Sequence, residues 1–276
     1  MNANAAIADD QIEPRRRRTD AGLGAPSMME DRMEMVMTNM IENDVWSRRY
    51  IKEGHIWGDE PSITAERLND QLNPSSKVLE IGFGYGRDLV YLLQQGHTLY
   101  GIEKAMIGLS EATAQIKDYV DRGHAQLILG DFAKTELIQG GFDAVFAHRV
   151  LHLLGQNGSV SAFVNRAAGL LKPGGLLYVS ARDPRDFNPE QMVKNPNGTV
   201  TYRDDVEKLG DRRGQLISFW DKARFTETFS KKFDSIAFEE TTEPESMINL
   251  DSFGKPVQTS ITLMKARKRF DGPQNG

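Results

Sequence analysis

One decapeptide and a single acid some twenty residues beyond it carry the clearest chemistry in this chain. Residues 77–86 read Lys-Val-Leu-Glu-Ile-Gly-Phe-Gly-Tyr-Gly, an apolar strand with Glu80 near its end and then a turn holding Gly82, Gly84 and Gly86. Glycines let a backbone approach a ligand closely. A second apolar run, Leu99-Tyr100-Gly101-Ile102, ends at Glu103, and an acid at that place can accept hydrogen bonds from both hydroxyls of a ribose. The pairing marks a site for a nucleoside-bearing cofactor. The plainer reading of the glycine run is a tight strand-to-helix connection. Downstream, Gly130-Asp131-Phe132 offers a carboxylate beside a flat ring, and His148 and His152, with Arg149 between them, follow a further apolar run. Neutral histidine can take a proton near pH 7.

A dinucleotide site would need G-x-G-x-x-G. From Gly82 the third glycine falls on Arg87, and from Gly84 on Leu89, so that pattern fails in both registers. The order Glu80-x-Gly82-x-Gly84-x-Gly86 instead resembles the first motif of the class I S-adenosylmethionine-dependent methyltransferases, and the likeness extends over about residues 55–267. The resemblance implies that Glu80 and the three glycines form the cofactor loop and that Glu103 holds the ribose. It implies further that Lys104 lies near the adenine edge, that Asp131 accepts the adenine amino group with Phe132 on the ring, and that His148 faces the sulfonium. Leu151-His152 is similar to a pair that ends this strand region in small-molecule members. Ile56-Trp57-Gly58 and Pro61-Ser62 resemble the lead-in of tellurite-resistance and thiopurine-type members, where an N-terminal segment closes over the cofactor.

Methyl transfer needs alignment and exclusion of water, plus removal of a proton when the acceptor is an alcohol or thiol. His148 is the first candidate base, with shaping of the cleft as its alternative. His152 is the second, with a packing role as its alternative. Trp57 is a candidate to cover the methionine end or the acceptor, or else a core anchor. Tyr50, Arg149 and Arg182 complete the candidate acceptor pocket. His55, His97 and His124 sit at turns and loop edges and take no role, and no metal-ligand spacing is present.

These residues need a parallel sheet to position them. Strands are expected at Lys77–Ile81, Thr98–Glu103, Ala125–Leu129, Phe142–Ala147 and Leu176–Ala181, with Lys172-Pro173-Gly174-Gly175 as a turn. Helices are expected from Arg87 to Gln95, about Ser110 to Arg122, about Ser159 to Leu171, and from Asp221 to about Lys231. Such alternation predicts an α/β fold. By resemblance it is a Rossmann-like, doubly wound, seven-stranded sheet, mostly parallel with one antiparallel strand and helices on both faces. Ser235–Glu240 and Val257–Lys265 supply the last two strands. Residues 1–27 read as a disordered tail containing Arg15 to Arg18, residues 28–74 as a helical cap, and residues 75–267 as the core. The stretch 182–215 reads as an irregular, lid-like insert, and 268–276 as a flexible end. Met33, Val36, Met37, Met40, Ile41 and Val45 fall at helical spacing within one helix over Met28 to Lys52, as a packed face or an adaptable pocket wall.

Composition narrows the chemistry. The 276 residues contain no cysteine, which removes disulfides, thiolate metal sites and cysteine nucleophiles. A net charge of -5 disfavours a nucleic acid partner. No stretch approaches a membrane span, and Met1 to Asp10 has no apolar core of a signal peptide, so cytoplasmic residence is expected. The residues after the fourth strand, Ala147-His148-Arg149-Val150, lack the Asn/Asp-Pro-Pro-Tyr of adenine-N6 and glutamine methyltransferases. The expected partner is a small-molecule acceptor with a hydroxyl, amine or thiol, and a homodimer stays open. Three rival readings also stay open: cyclisation or elimination with the same cofactor, a non-catalytic binder of it, and, weakest, a nicotinamide oxidoreductase.

Overall fold

A computed structural model describes residues 28–155, 157–247 and 252–269. The Arg15–Arg18 run and the end of the chain from residue 270 lie outside them. The chain divides between Met37 and Thr38 into two compact units, and the sheet and candidate site belong wholly to the second.

Among the described residues ten strands form two sheets: β1 (Lys77–Ile81), β2 (Thr98–Glu103), β3 (Ala125–Leu129), β4 (Phe142–Ala147), β5 (Leu171–Arg182), β6 (Met192–Lys194), β7 (Val200–Tyr202), β8 (Leu216–Ile217), β9 (Phe233–Pro244) and β10 (Gln258–Lys268). The large sheet has the order β3-β2-β1-β4-β5-β10-β9, parallel except for β10, which runs antiparallel to both neighbours. The order reverses between β1 and β4, so the crevice outside their carboxyl ends is where such a sheet takes a ligand. Val78, Leu79, Ile81 and Val145 are buried, as central parallel strands covered on both faces require.

The helices are α1 (Met28–Asn43), α2 (Val45–Glu53), α3 (Ile63–Asn69), α4 (Arg87–Gln94), α5 (Met106–Gln115), α6 (Lys117–Asp121), α7 (Asn157–Leu170) and α8 (Lys222–Phe229). One apolar cluster joins the sheet to α7 and α8 through Phe163, Trp220, Phe225 and Phe229. The other joins it to α3, α4 and α5 through Leu68, Leu89, Leu92 and Ala112.

Several expectations need correction. The helix expected over Met28 to Lys52 breaks at Asp44, whose carboxylate accepts from the Ser47 amide at 2.6 Å and so starts α2. Of the apolar stripe, Met40 is exposed, whereas Ile41 and Val45 are half-buried. The helix expected near Ser110 begins at Met106 and breaks at Ile116 into α5 and α6. The insert is not irregular: β6, β7 and β8 form a small antiparallel sheet over Met192, Val200, Tyr202, Leu209 and Ile217. The Lys172–Gly175 turn is a bulge inside β5, because Leu171 pairs with Phe142 and Leu176 with Ala144.

Candidate active site

The glycine turn follows β1 and carries its chain into α4. Gly82 has φ +71°, and a Cβ there would lie 2.6 Å from Val150 Cγ2, so only glycine lets the loop pass under the β4 turn. Gly84 has φ +58°, and a Cβ there would meet the Tyr50 hydroxyl at 2.8 Å. At Gly86 it would meet Ala112 Cβ at 2.8 Å, which brings α4 close to α5. Tyr50 is thus seated on the loop, with its phenol pushed up by burial and then by the Glu103 charge.

Glu103 ends β2, and its buried carboxylate binds the loop. Oε2 accepts from the Gly84 amide at 2.8 Å, and Oε1 accepts from the amides of Lys104 and Ala105 at 2.7 and 2.8 Å. Burial raises its pKa, and the three backbone donations oppose that rise. Glu80 is also buried. Burial, then the nearby Asp88, pushes its carboxyl well above the usual range, and Oε2 has no protein hydrogen-bond partner.

Asp131 lies two residues past Leu129, which pairs with Glu103 in the β2–β3 register, so both acids stand at the same sheet edge. Asp131 Oδ1 accepts from the Ala133 amide at 2.9 Å, which closes a local turn. The Phe132 ring lies 5.3 Å from that of Phe163, with the Arg166 guanidinium 5.2 Å above it.

On the other side of the crevice, His148 follows β4. Its Nδ1 lies 2.8 Å from Ser180 Oγ, and Nε2 forms an ion-pair contact with Glu243 Oε2 at 3.0 Å, off the axis of a good hydrogen bond. Burial opposes ionisation of Glu243, but His148, and then Arg149 and Arg87, hold its carboxyl down to about 2. Both ring nitrogens of His148 therefore face protein groups. His152 is buried, its Nδ1 has no hydrogen-bond partner, and burial, then the Arg149 and Arg182 charges, pull its pKa well below the usual range.

A cavity of about 320 Å³ opens beside these residues, lined by Trp46, Trp57, Arg149, His152, Arg182 and Tyr202 among others. Trp57 is fixed there by donation from Nε1 to the Glu245 carbonyl at 3.0 Å and from its amide to the Tyr85 hydroxyl at 3.1 Å. Arg182 pairs with Asp186 at 3.0 Å and donates to the Tyr202 hydroxyl, so the insert sheet is tied to the end of β5. Of the sequence candidates, Trp57, Arg149, His152 and Arg182 share this cavity. Tyr50, Glu80, Gly82, Gly84, Gly86 and Glu103 gather at the loop, and Lys104 is exposed beside it.

The sequence did not point to Ser180, Glu243 or Asp88. Asp88 accepts from the amide and the hydroxyl of Ser62, both at 2.7 Å, and so anchors the lead-in to α4. Ser62 opens α3 after Pro61, and an acid in the first turn of α4 was the only available signal.

Residues 79–179 match the model of the methyltransferase domain family. The match covers little more than a third of the chain. Its boundaries run from β1 to β5 and enclose the glycine turn, Glu103, Asp131, His148 and His152. No curated protein matches the sequence. Among solved structures, an S-adenosylmethionine-dependent methyltransferase from Methanosarcina mazei is 14% identical, over 74% of this chain and 98% of that one, with a TM-score of 0.56. The 1,6-didemethyltoxoflavin-N1-methyltransferase of Burkholderia thailandensis is 17% identical, over 91% and 94%, with a TM-score of 0.56. TehB from Haemophilus influenzae is 15% identical, over 74% and 61%, with a TM-score of 0.52. At these identities the likeness is one of fold, and the seven-stranded order with its single antiparallel strand agrees with it. Among the described residues no helix is long and apolar enough to cross a membrane, and no cluster of metal-ligating side chains occurs.

Proposed function

We propose that this chain is an S-adenosylmethionine-dependent methyltransferase acting on a small-molecule oxygen, nitrogen or sulfur acceptor. The observation that carries the reading is the buried Glu103 carboxylate bound to the Gly84 amide. It accepts three backbone bonds, while a carboxylate has about four acceptor sites. Oε2 therefore retains a lone pair for a ribose hydroxyl beside a loop with no side chain at Gly82, Gly84 or Gly86. Glu80 Oε2, buried without a protein partner, is a second place for a polar ligand group or its water.

Bound there, S-adenosylmethionine supplies an electrophilic methyl group on its sulfonium. The residues of the chain do the rest. Glu103 holds the ribose, Lys104 flanks the adenine edge, Asp131 takes the adenine amino group through its second oxygen, and Phe132 packs on the ring. Tyr50 and Trp57 close the crevice over the loop and exclude water. Arg149 and Arg182 orient the acceptor. His152 is kept neutral by burial and by its cationic neighbours, which also weaken it as a base, so it takes an acceptor proton only while an anion in the cavity offsets the Arg149 and Arg182 charges. His148, engaged by Ser180 and Glu243, positions the β4 turn and the methionine end of the crevice. The likeness in fold to the Burkholderia thailandensis 1,6-didemethyltoxoflavin-N1-methyltransferase, whose structure contains 1,6-didemethyltoxoflavin and S-adenosylhomocysteine, supports this reading.

The test is an acceptor screen by mass spectrometry with labelled S-adenosylmethionine. The reading expects a product one methyl group heavier, with S-adenosylhomocysteine released in equal amount. Cofactor breakdown to other products across the whole screen would contradict it.

A further inference from the structure

The walls of the cavity are unequal in charge. Arg49, Lys52, Arg149, Arg182, Lys208 and Arg212 line it, against only Glu53 and Glu245 as acids. Both acids are taken. Glu53 accepts bidentately from Arg49 at 3.0 and 2.8 Å. Glu245 pairs with Arg212 at 2.7 Å and with Arg182 at 3.6 Å. Lys52 and Lys208 are exposed at the rim. Arg149 lies deeper and has no carboxylate within 4.0 Å among the described residues. Its guanidinium donates to the Pro244 carbonyl at 3.2 Å and lies 5.6 Å over the Trp57 ring.

Arg149 is also held in an uncommon backbone conformation. Its φ is +55°, and its amide donates to both the Ser180 carbonyl and the Ser180 hydroxyl, at 3.1 and 3.0 Å. Left-handed geometry at a non-glycine residue costs stability and persists where neighbours enforce it. Burial draws its guanidinium down to about 10. The carboxylates of Glu243 and Glu245 oppose that shift from beyond contact distance, so the guanidinium still gains from an anion in direct contact. The Trp57 ring beside it and the Trp46 ring lie 5.8 Å apart, tilted by 43°, and give the cavity an angled aromatic wall.

We infer that the acceptor is an acid: a small aromatic molecule whose carboxylate pairs with Arg149 while its ring packs into the angle of the Trp46–Trp57 wall. This extends the methyltransferase reading and depends on it for the word acceptor. A carboxylate could also come from the methionine end of the cofactor. The cavity favours the acceptor as source, because it reaches Tyr202, Leu209 and Arg212 of the insert and includes none of Gly82, Gly84, Glu103 or Asp131.

The experiment is calorimetric titration of the full chain, saturated with S-adenosylhomocysteine, with benzoate and with the neutral isostere benzamide. Benzoate is expected to bind at least about tenfold more tightly, because a charge-assisted pair replaces a neutral contact. Arg149→Asn, chosen because asparagine tolerates the left-handed backbone, should erase the preference, and Arg149→Lys should restore part of it. Equal binding of the two probes to the wild type, or binding of neither, overturns the inference, and this comparison needs no variant to fold. Titration with S-adenosylhomocysteine and 5′-methylthioadenosine, which lacks the amino-acid end, identifies the source. A tenfold loss for the first alone in Arg149→Asn assigns the carboxylate to the cofactor and overturns the acceptor claim. Should the wild type fail to bind S-adenosylhomocysteine, the cofactor reading fails by itself. The probe comparison is then read on the unliganded protein, with the same preference supporting an anion pocket and its absence overturning it.

Discussion

Replacing Glu103 by glutamine keeps the shape of the side chain and removes its charge. The wild-type carboxylate has three backbone donors on it and one free acceptor site on Oε2. Without rearrangement it can therefore hold one ribose hydroxyl, not two. A hydrogen bond to a charged group contributes about 1.5–3 kcal/mol net, so loss of the charge should weaken S-adenosylhomocysteine by about 10- to 150-fold. Part of the loss comes from the loop itself, since an amide oxygen cannot serve all three backbone donors and one N–H would face the new NH2 group. Thermal melting without ligand measures that part, and calorimetry with S-adenosylhomocysteine measures the whole. The pH dependence gives a further check. Burial raises the Glu103 pKa, so cofactor affinity should fall as pH drops through a value above the ordinary carboxylate range, and Glu103→Gln should flatten that fall. Affinity within about twofold of wild type, with an unchanged melt, would refute the ribose assignment; the tenfold threshold follows from the lower bound for one charged bond.

Gly82→Ala should lower stability by about 1–3 kcal/mol through its left-handed backbone and the clash with Val150, and Gly82→Ala with Val150→Ala should recover only the steric part. Chemical denaturation of the single and double variants checks this. Glu243 has a depressed folded pKa of about 2, so its contribution is present above its unfolded value and is lost as pH falls through that interval. Acid melts between about pH 5 and 2 should show that loss, on the order of 3 kcal/mol at most, and Glu243→Gln should reduce it. With an acceptor in hand, His152→Asn should lower turnover while leaving S-adenosylhomocysteine affinity within about threefold, since a proton acceptor affects the reaction more than ligand binding. Equal losses in both would assign His152 to packing.

That the glycine turn and Glu103 are neighbours was legible because this side of the crevice is built locally. Glu80 through Gly86 is one continuous strand–turn–helix, and Glu103 belongs to the adjacent strand, so spacing alone brings the pieces together. The positions of the first four strands followed from the alternation of apolar runs. The acceptor side was less legible because it depends on distant pairings. Glu243 reaches His148 only because β9, β10 and β5 pair in one register, across 95 residues of sequence. Ser180 becomes a partner of His148 because Ala147 pairs with Val179, which brings the next residues of the two strands side by side. The insert sheet was missed because strands of two or three residues carry no readable period. The break at Ile116 left no signal, since both flanking segments are helical and neither Pro nor Gly separates them. For His148, residue type and place made it the first candidate base, and the structure adds two neighbours, Ser180 and Glu243, to which the sequence did not point.

Calorimetric titration of the purified protein with S-adenosylmethionine, S-adenosylhomocysteine and NADH tests the central claim most directly. Binding of the two adenosyl ligands at one site per chain, with no heat from NADH, is the predicted result. Binding of NADH alone would contradict it and make the glycine turn a dinucleotide loop despite Arg87 and Leu89 standing where its third glycine belongs.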